Sequence, residues 1–291
     1  MPTKICNYFV TLRTNDQCEF CHLWEKWEEY EKIEEKPYDL ALLQAVGVKD
    51  LNITGGEPLL RDDLIDILKQ AKELGMKVQL TTNGLLYPDK GAQLTGLVDH
   101  LFIFLDYPNA EMHDRSRGVE CYSEIIQAIR DSKKAGQKPI IKFTITRDSV
   151  MYLPEMLELA ESLGVMLYLN PVSDFYGTQG MESATVDHLR YYWRKKNVLL
   201  NFAALKFVKY HGNRALLPRC KAQETTITIM PNGERVGPCF YNQNKAQGRE
   251  DICSGCLRWD YMLPSLAHGL DKYVLLSQAS KWLNKYKGVE L

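Results

Sequence analysis

No stretch of about 18 consecutive apolar residues occurs in the chain, which excludes a membrane-spanning helix. Charge excess of either sign is missing too. The 36 Lys and Arg are balanced by 37 Asp and Glu, for a formal charge of −1. Binding along a nucleic-acid backbone draws most of its affinity from a basic surplus, so that class of partner is disfavoured. Residues 1–9 contain no apolar core segment and carry Lys4, so a secretory leader is not expected and the cytoplasm is the expected compartment. There is no internal repeat and no low-complexity segment. The six histidines form no metal-type pair, and no nucleophile–base triad is evident.

Cysteine is what the 291-residue chain does have: eight, at 6, 18, 21, 121, 220, 239, 253 and 256. In a reducing compartment, clustered cysteines bind metal more often than they form disulfides. Two C-x-x-C pairs, Cys18/Cys21 and Cys253/Cys256, favour metal. Hydrophobic residues make up 45%, enough for a large core.

Strand-like and helix-like stretches alternate over residues 8–169. Strands are expected at 8–12, 50–54, 76–81, 100–105, 139–146 and 165–169. Helices are expected at 39–46, 64–74, 123–135 and 153–163, several of them closed by glycine. Six alternations predict a parallel sheet covered by helices, three-quarters of an eightfold barrel. The fold class is therefore α/β, a partial (β/α)6 TIM-like barrel. A small Cys-rich C-terminal β-hairpin extension follows, with a closing amphipathic helix over 270–286. The expected units are a barrel at 1–180, a helical connection at 181–217 and the Cys-rich unit at 218–291.

In such folds chemistry gathers at the carboxyl ends of the strands. The polar signals fall there. Strand one ends in Arg13-Thr14-Asn15-Asp16-Gln17-Cys18-Glu19-Phe20-Cys21, and strand two in Thr54-Gly55-Gly56-Glu57-Pro58. Strand three ends in Asn83-Gly84, strand four in Asp106, strand five in Arg147 and strand six in Asn170. Two glycines let the backbone approach a ligand closely and take positive φ. Glu57 offers a carboxylate to an amino group, and Pro58 fixes the exit. His113, Asp114 and Arg117 follow the strand-four loop, where they either face the barrel mouth or, as favoured, form a charge cluster at a helix start.

Thr54 to Pro58 resembles the GGEP motif of the radical S-adenosylmethionine (radical SAM) superfamily. Cys18-Glu19-Phe20-Cys21 resembles the second half of its C-x-x-x-C-x-aromatic-C motif. The resemblance covers residues 8–170. It implies three cysteinates on a [4Fe–4S] cluster whose open iron takes S-adenosylmethionine, and a 5′-deoxyadenosyl radical that abstracts a substrate hydrogen. It further implies that Gly55, Gly56, Glu57 and Pro58 hold the methionine amino group. Asn83 or Asp106 would bind the ribose, Arg147 the carboxylate, and Phe20 and Asn170 would lie near the adenine. Expected partners are a small-molecule or peptide substrate and a reductant such as flavodoxin or ferredoxin.

The family's first cysteine corresponds to Thr14. A thiol becomes a thiolate ligand far more readily than a hydroxyl loses its proton. Cys6 lies eight residues away, about 26 Å along a strand. Asp16 and His22 are the nearer substitutes. Impaired cluster binding is the expectation.

Cys220, Cys239, Cys253 and Cys256 form a second group, with Pro231-Asn232-Gly233 as a hairpin turn between the first two. Four sulfurs suit zinc or an iron–sulfur cluster, and spacing does not separate them. The hairpin followed by C-x-x-C resembles the SPASM/twitch extensions of radical SAM enzymes. That resemblance implies an auxiliary [4Fe–4S] cluster passing electrons, with zinc the lesser expectation.

Overall fold

The structure, a computed structural model, describes residues 4–21, 23–171, 183–210, 225–236 and 272–290. Nine strands make one sheet: β1 (Lys4–Thr11), β2 (Val48–Gly55), β3 (Lys77–Thr82), β4 (His100–Phe104), β5 (Pro139–Ile145), β6 (Met166–Pro171), β7 (Val198–Leu199), β8 (Thr226–Ile229) and β9 (Arg235–Val236). Their spatial order is β7-β6-β5-β4-β3-β2-β1-β8-β9. Every pairing is parallel except β8 with β9. From β1 to β6 each strand lies beside its predecessor, the arrangement of successive crossovers. Among the described residues the sheet does not close.

Alternation divides the strands into two faces. Cys6, Tyr8, Val10, Leu51, Ile53, Val78, Leu80, Ile103, Phe143 and Leu167 join one apolar core with the covering helices. The Leu64–Glu73 helix buries Leu64, Ile67, Leu68 and Ala71, a stripe at helical spacing. Leu153–Leu163 begins with Pro154 in its first turn and ends at Gly164, φ +62°. The intervening strand residues face the concave side.

Asn232-Gly233 does turn a hairpin, with Gly233 at φ +79°. Its first strand pairs in parallel with β1, Cys6 opposite Ile227, so β8 extends the main sheet. The final helix, Lys272–Tyr286, inverts the expected pattern. It buries Tyr273, Ser277, Ser280 and Asn284 and exposes Leu275, Trp282 and Tyr286. Its polar face serves the helix Phe202–Lys209: Phe202 N donates to Ser280 Oγ at 2.9 Å, and Asn284 Nδ2 to Leu200 O at 3.3 Å. Beyond it, Val289 packs against the cluster of Phe102, Ile140 and Leu199, and Lys77 Nζ donates to Glu290 O at 2.5 Å. The chain's end thus abuts the amino-terminal side of the barrel.

Candidate functional site

Gly55 and Gly56 are packed against the chain itself. Gly56 N donates to Thr11 O at 2.9 Å and Glu57 N to Arg13 O at 2.8 Å. A Cβ on Gly55 would lie 2.0 Å from Thr11 O, and one on Gly56 2.0 Å from Arg13 O. Gly55 also has φ +143°. The close approach read from these glycines is therefore at least partly to the loop leaving β1.

Glu57 is fully buried. Its Oε1 accepts from Leu59 N at 2.9 Å and Thr82 Oγ1 at 2.7 Å, and its Oε2 from Asn83 N at 2.7 Å. Burial raises its pKa to about 7 against the opposing effect of those hydrogen bonds. The carboxylate clamps the end of β2 to the end of β3. Asn83 Nδ2 reaches Asn15 Oδ1 at 2.7 Å, which brings strand ends one and three together. Pro58 is buried at the start of a short 3-10 turn.

Next to this clamp lies a charge network in the cysteine loop. Thr14 Oγ1 donates to Asp16 Oδ1 at 2.5 Å, and Cys18 Sγ to Asp16 Oδ2 at 3.2 Å. Arg117 Nη1 lies 3.2 Å from Asp16 Oδ2 and 3.3 Å from Cys18 Sγ, and its Nη2 pairs with Asp106 Oδ2. The guanidinium also sits over Phe104 and Phe20, 4.8 and 5.5 Å from their centroids. Burial would raise the Asp16 pKa, but Arg117 and the donors Thr14 and Cys18 hold it below the usual carboxylate range. Burial pushes the Cys18 thiol well up despite Arg117, and the Cys21 thiol up as well.

Arg117, read from the sequence with His113 and Asp114 mainly as a helix-start charge cluster, is instead the last residue of its helix and faces the barrel mouth. The Ala110–Arg117 helix, capped by Asn109 and stopped by Gly118 at φ +68°, carries it into the barrel mouth. His113 on the same helix accepts from Asp106 N through Nδ1 at 3.1 Å. Burial, then the positive charge of Arg117, lowers its pKa to about 4. The available signal was an Arg one helix after a strand-end Asp. Arg147, by contrast, is exposed on the turn after β5, and Asn170 is half-buried in β6. Cys6 is buried on the helix-facing side of β1 and Cys121 at a helix start. Cys220, Cys239, Cys253, Cys256 and His22 lie outside the described residues.

Two groups can be tested against these side chains. His113 Nε2, Ser116 Oγ, Arg117 Nε and Thr144 Oγ1 are buried with no hydrogen-bond partner among the described residues. This group, beside the ends of β4 and β5, suits a polar, zwitterionic ligand such as S-adenosylmethionine. A three-thiolate [4Fe–4S] site does not fit. The loop brings two thiols and one hydroxyl, and that hydroxyl is spent on Asp16.

A family model described as "Radical SAM superfamily" matches residues 2–168. A probable GTP 3′,8-cyclase of Sulfurisphaera tokodaii is 26% identical over 276 residues, covering 87% of this chain and 83% of that protein. One of Metallosphaera sedula is 27% identical over 268 residues, covering 84% and 80%. Among solved structures, Streptococcus suis SuiB bound to S-adenosylmethionine superposes with TM-score 0.64 at 20% identity. That match covers 84% of this chain and 62% of the SuiB chain, so this chain spans less than two-thirds of SuiB. Native anSMEcpe with bound AdoMet gives 0.60 at 15% identity, covering 96% and 84%. These two likenesses show the fold. Among the described residues, no helix is long and apolar enough to cross a membrane.

Proposed function

The chain belongs to the radical SAM superfamily, and from that membership we propose that it binds S-adenosylmethionine at its strand ends but is one thiolate short of working radical chemistry. The observation that carries the reading is the Thr14 hydroxyl, hydrogen-bonded to Asp16 where the family motif has its first cysteine. In the family, three thiolates hold the cluster that delivers the electron. With two thiols present, no cleavage step is assigned to this chain as it stands.

The binding residues keep their proposed roles. Glu57, with the backbone of Gly55 and Gly56 turned by Pro58, would take the methionine amino group. Asn83 or Asp106 would take the ribose hydroxyls, and Phe20 and Asn170 would flank the adenine. Arg147 would pair with the carboxylate. Arg117, whose Nε alone lacks a partner, has its other nitrogens on Asp16, Cys18 and Asp106. Cys220, Cys239, Cys253 and Cys256 would hold an auxiliary [4Fe–4S] cluster of SPASM/twitch type in a unit spanning 218–291, with zinc the lesser alternative. The substrate would be a small molecule or a peptide and the reductant a flavodoxin or ferredoxin, in the cytoplasm. The name carried by the curated relatives favours the small molecule.

A second reading, a scaffold that keeps the fold and not the chemistry, is favoured by the closed Asp16–Arg117–Asp106 network. Anaerobic reconstitution of this chain beside Thr14→Cys separates the two. The first reading expects Thr14→Cys to gain about four irons per chain and to form 5′-deoxyadenosine on reduction. A Thr14→Cys protein that takes up iron and still forms none supports the scaffold. Full cluster and full 5′-deoxyadenosine from the unaltered chain overturns both. Zinc in the distal site overturns the auxiliary cluster.

A further inference from the structure

Away from the barrel mouth, the helices Ser183–Leu189, Phe202–Lys209 and Lys272–Tyr286 meet around a cavity of about 190 Å³. Val186, Phe202, Leu205 and Leu276 give it an apolar floor. Arg190, Lys206 and Lys209 bring positive charge to its walls, and Asp187 brings negative charge. Asp187 is already engaged. Its Oδ2 accepts from Lys209 Nζ at 2.5 Å, and its Oδ1 lies 4.0 Å from Arg190 Nη1. Lys206 is half-buried and has no carboxylate partner among the described residues. Three cations against one carboxylate leave a local surplus of positive charge in a chain whose total is −1. A half-buried ammonium beside an apolar wall favours an anion as its counterpart. None of the lining residues comes from the strand ends that carry Glu57, Asn83 and Asp106, so the cavity is separate from the site above.

We propose that this cavity binds a small aromatic carboxylate. An apolar cavity of about 150 Å³ admits benzene. At about 190 Å³ this one has room for a single ring and the carboxyl group on it. The ring would lie on Phe202 and Leu205, and the carboxylate would take charge-assisted hydrogen bonds from Lys206 and Arg190. Few polar groups converging over an apolar floor is the usual build of a small-molecule site. Asp187, held by Lys209, repels a second negative charge, so a monoanion is preferred to sulfate or phosphate. An anion without an apolar body also leaves the floor unused. The proposal does not depend on the S-adenosylmethionine reading.

Fluorine NMR titration of the full chain with para-fluorobenzoate tests the cavity. One probe per chain should bind, and para-fluorobenzyl alcohol, similar in size but uncharged, should bind at least fivefold more weakly. Lys206→Met keeps most of the stem, loses the charge and should weaken the probe at least fivefold. Leu276→Trp should fill the floor and abolish binding. Should Leu276→Trp fail to fold, Lys206→Glu reverses the charge at a half-buried position and should abolish binding instead. No binding by the unaltered chain, or binding untouched by Lys206→Met, overturns the proposal. Sulfate that displaces the probe at equal concentration reveals a bare anion site and overturns the aromatic part. Displacement by S-adenosylmethionine places the probe in the barrel mouth and overturns the cavity.

Discussion

Replacing Arg117 by Leu removes the one cation that reaches both Asp106 and Asp16 among the described residues. All three are buried: Arg117 is 3%, Asp106 1% and Asp16 7% exposed. Burial opposes the charge on Arg117, and Asp106, Cys18 and Asp16 together more than restore it. Taking one member from a buried pair leaves an uncompensated charge and costs about 3 to 5 kcal/mol. At about 2.1 cal/mol/K per residue, 291 residues give an unfolding entropy near 0.6 kcal/mol/K. Arg117→Leu should therefore lower Tm by about 7 °C, read by calorimetry and by urea unfolding. Asp106→Asn in that background removes the stranded charge and should recover at least about 1 kcal/mol. Arg117→Lys keeps the charge but loses the fork and should fall between. An Arg117→Leu protein within about 1 kcal/mol of the parent, or an Asp106→Asn change that destabilises it further, would refute the ion-pair reasoning.

Gly56→Ala forces a Cβ into Arg13 O and disturbs the backbone bonds from Gly56 and Glu57; a loss of about 2 to 3 kcal/mol in urea unfolding is expected. His113 stays neutral in the folded state down to about pH 4, whereas in the unfolded chain it protonates near 6.5. The unfolded state then binds the extra proton, so stability falls as pH drops from 6.5 to 4, by about 3 kcal/mol from this group. His113→Gln should flatten that slope, and an unchanged slope would show that another group carries it. Deleting residues 287–291 removes Val289 from its cluster and Lys287 from Trp193 O and Val198 O, both at 2.6 Å. Hydrogen exchange in β7 should then quicken, with a loss of about 2 to 4 kcal/mol.

The barrel was legible because its signals are local. Leu64, Ile67, Leu68 and Ala71 repeat at helical spacing, and Gly75 and Gly164 stop their helices with positive φ. Strand-end residues Glu57, Asn83 and Asp106 do lie near the cysteine loop for the same reason: parallel strands deliver their ends to one side. What stayed hidden depends on distant partners. Arg117 lies 99 positions from Cys18, and only the fold makes them neighbours. The last helix reads as an ordinary amphipath, and its polar face is buried because Ser280 and Asn284 meet the backbone of Phe202 and Leu200. Likewise β8 joins β1 across more than 200 residues, which no hairpin signal foretells.

The backbone bonds from Gly56 to Thr11 and from Glu57 to Arg13 anchor the start of the cysteine loop. In small zinc domains the ligands wait for the ion before the chain takes its form. Here Thr14 follows directly on Arg13, whose carbonyl is held by Glu57 N. Gain or loss of a ligand at that position leaves the support intact. On the function proposed above, a single side chain, Thr14, stands where the family motif has its first thiolate.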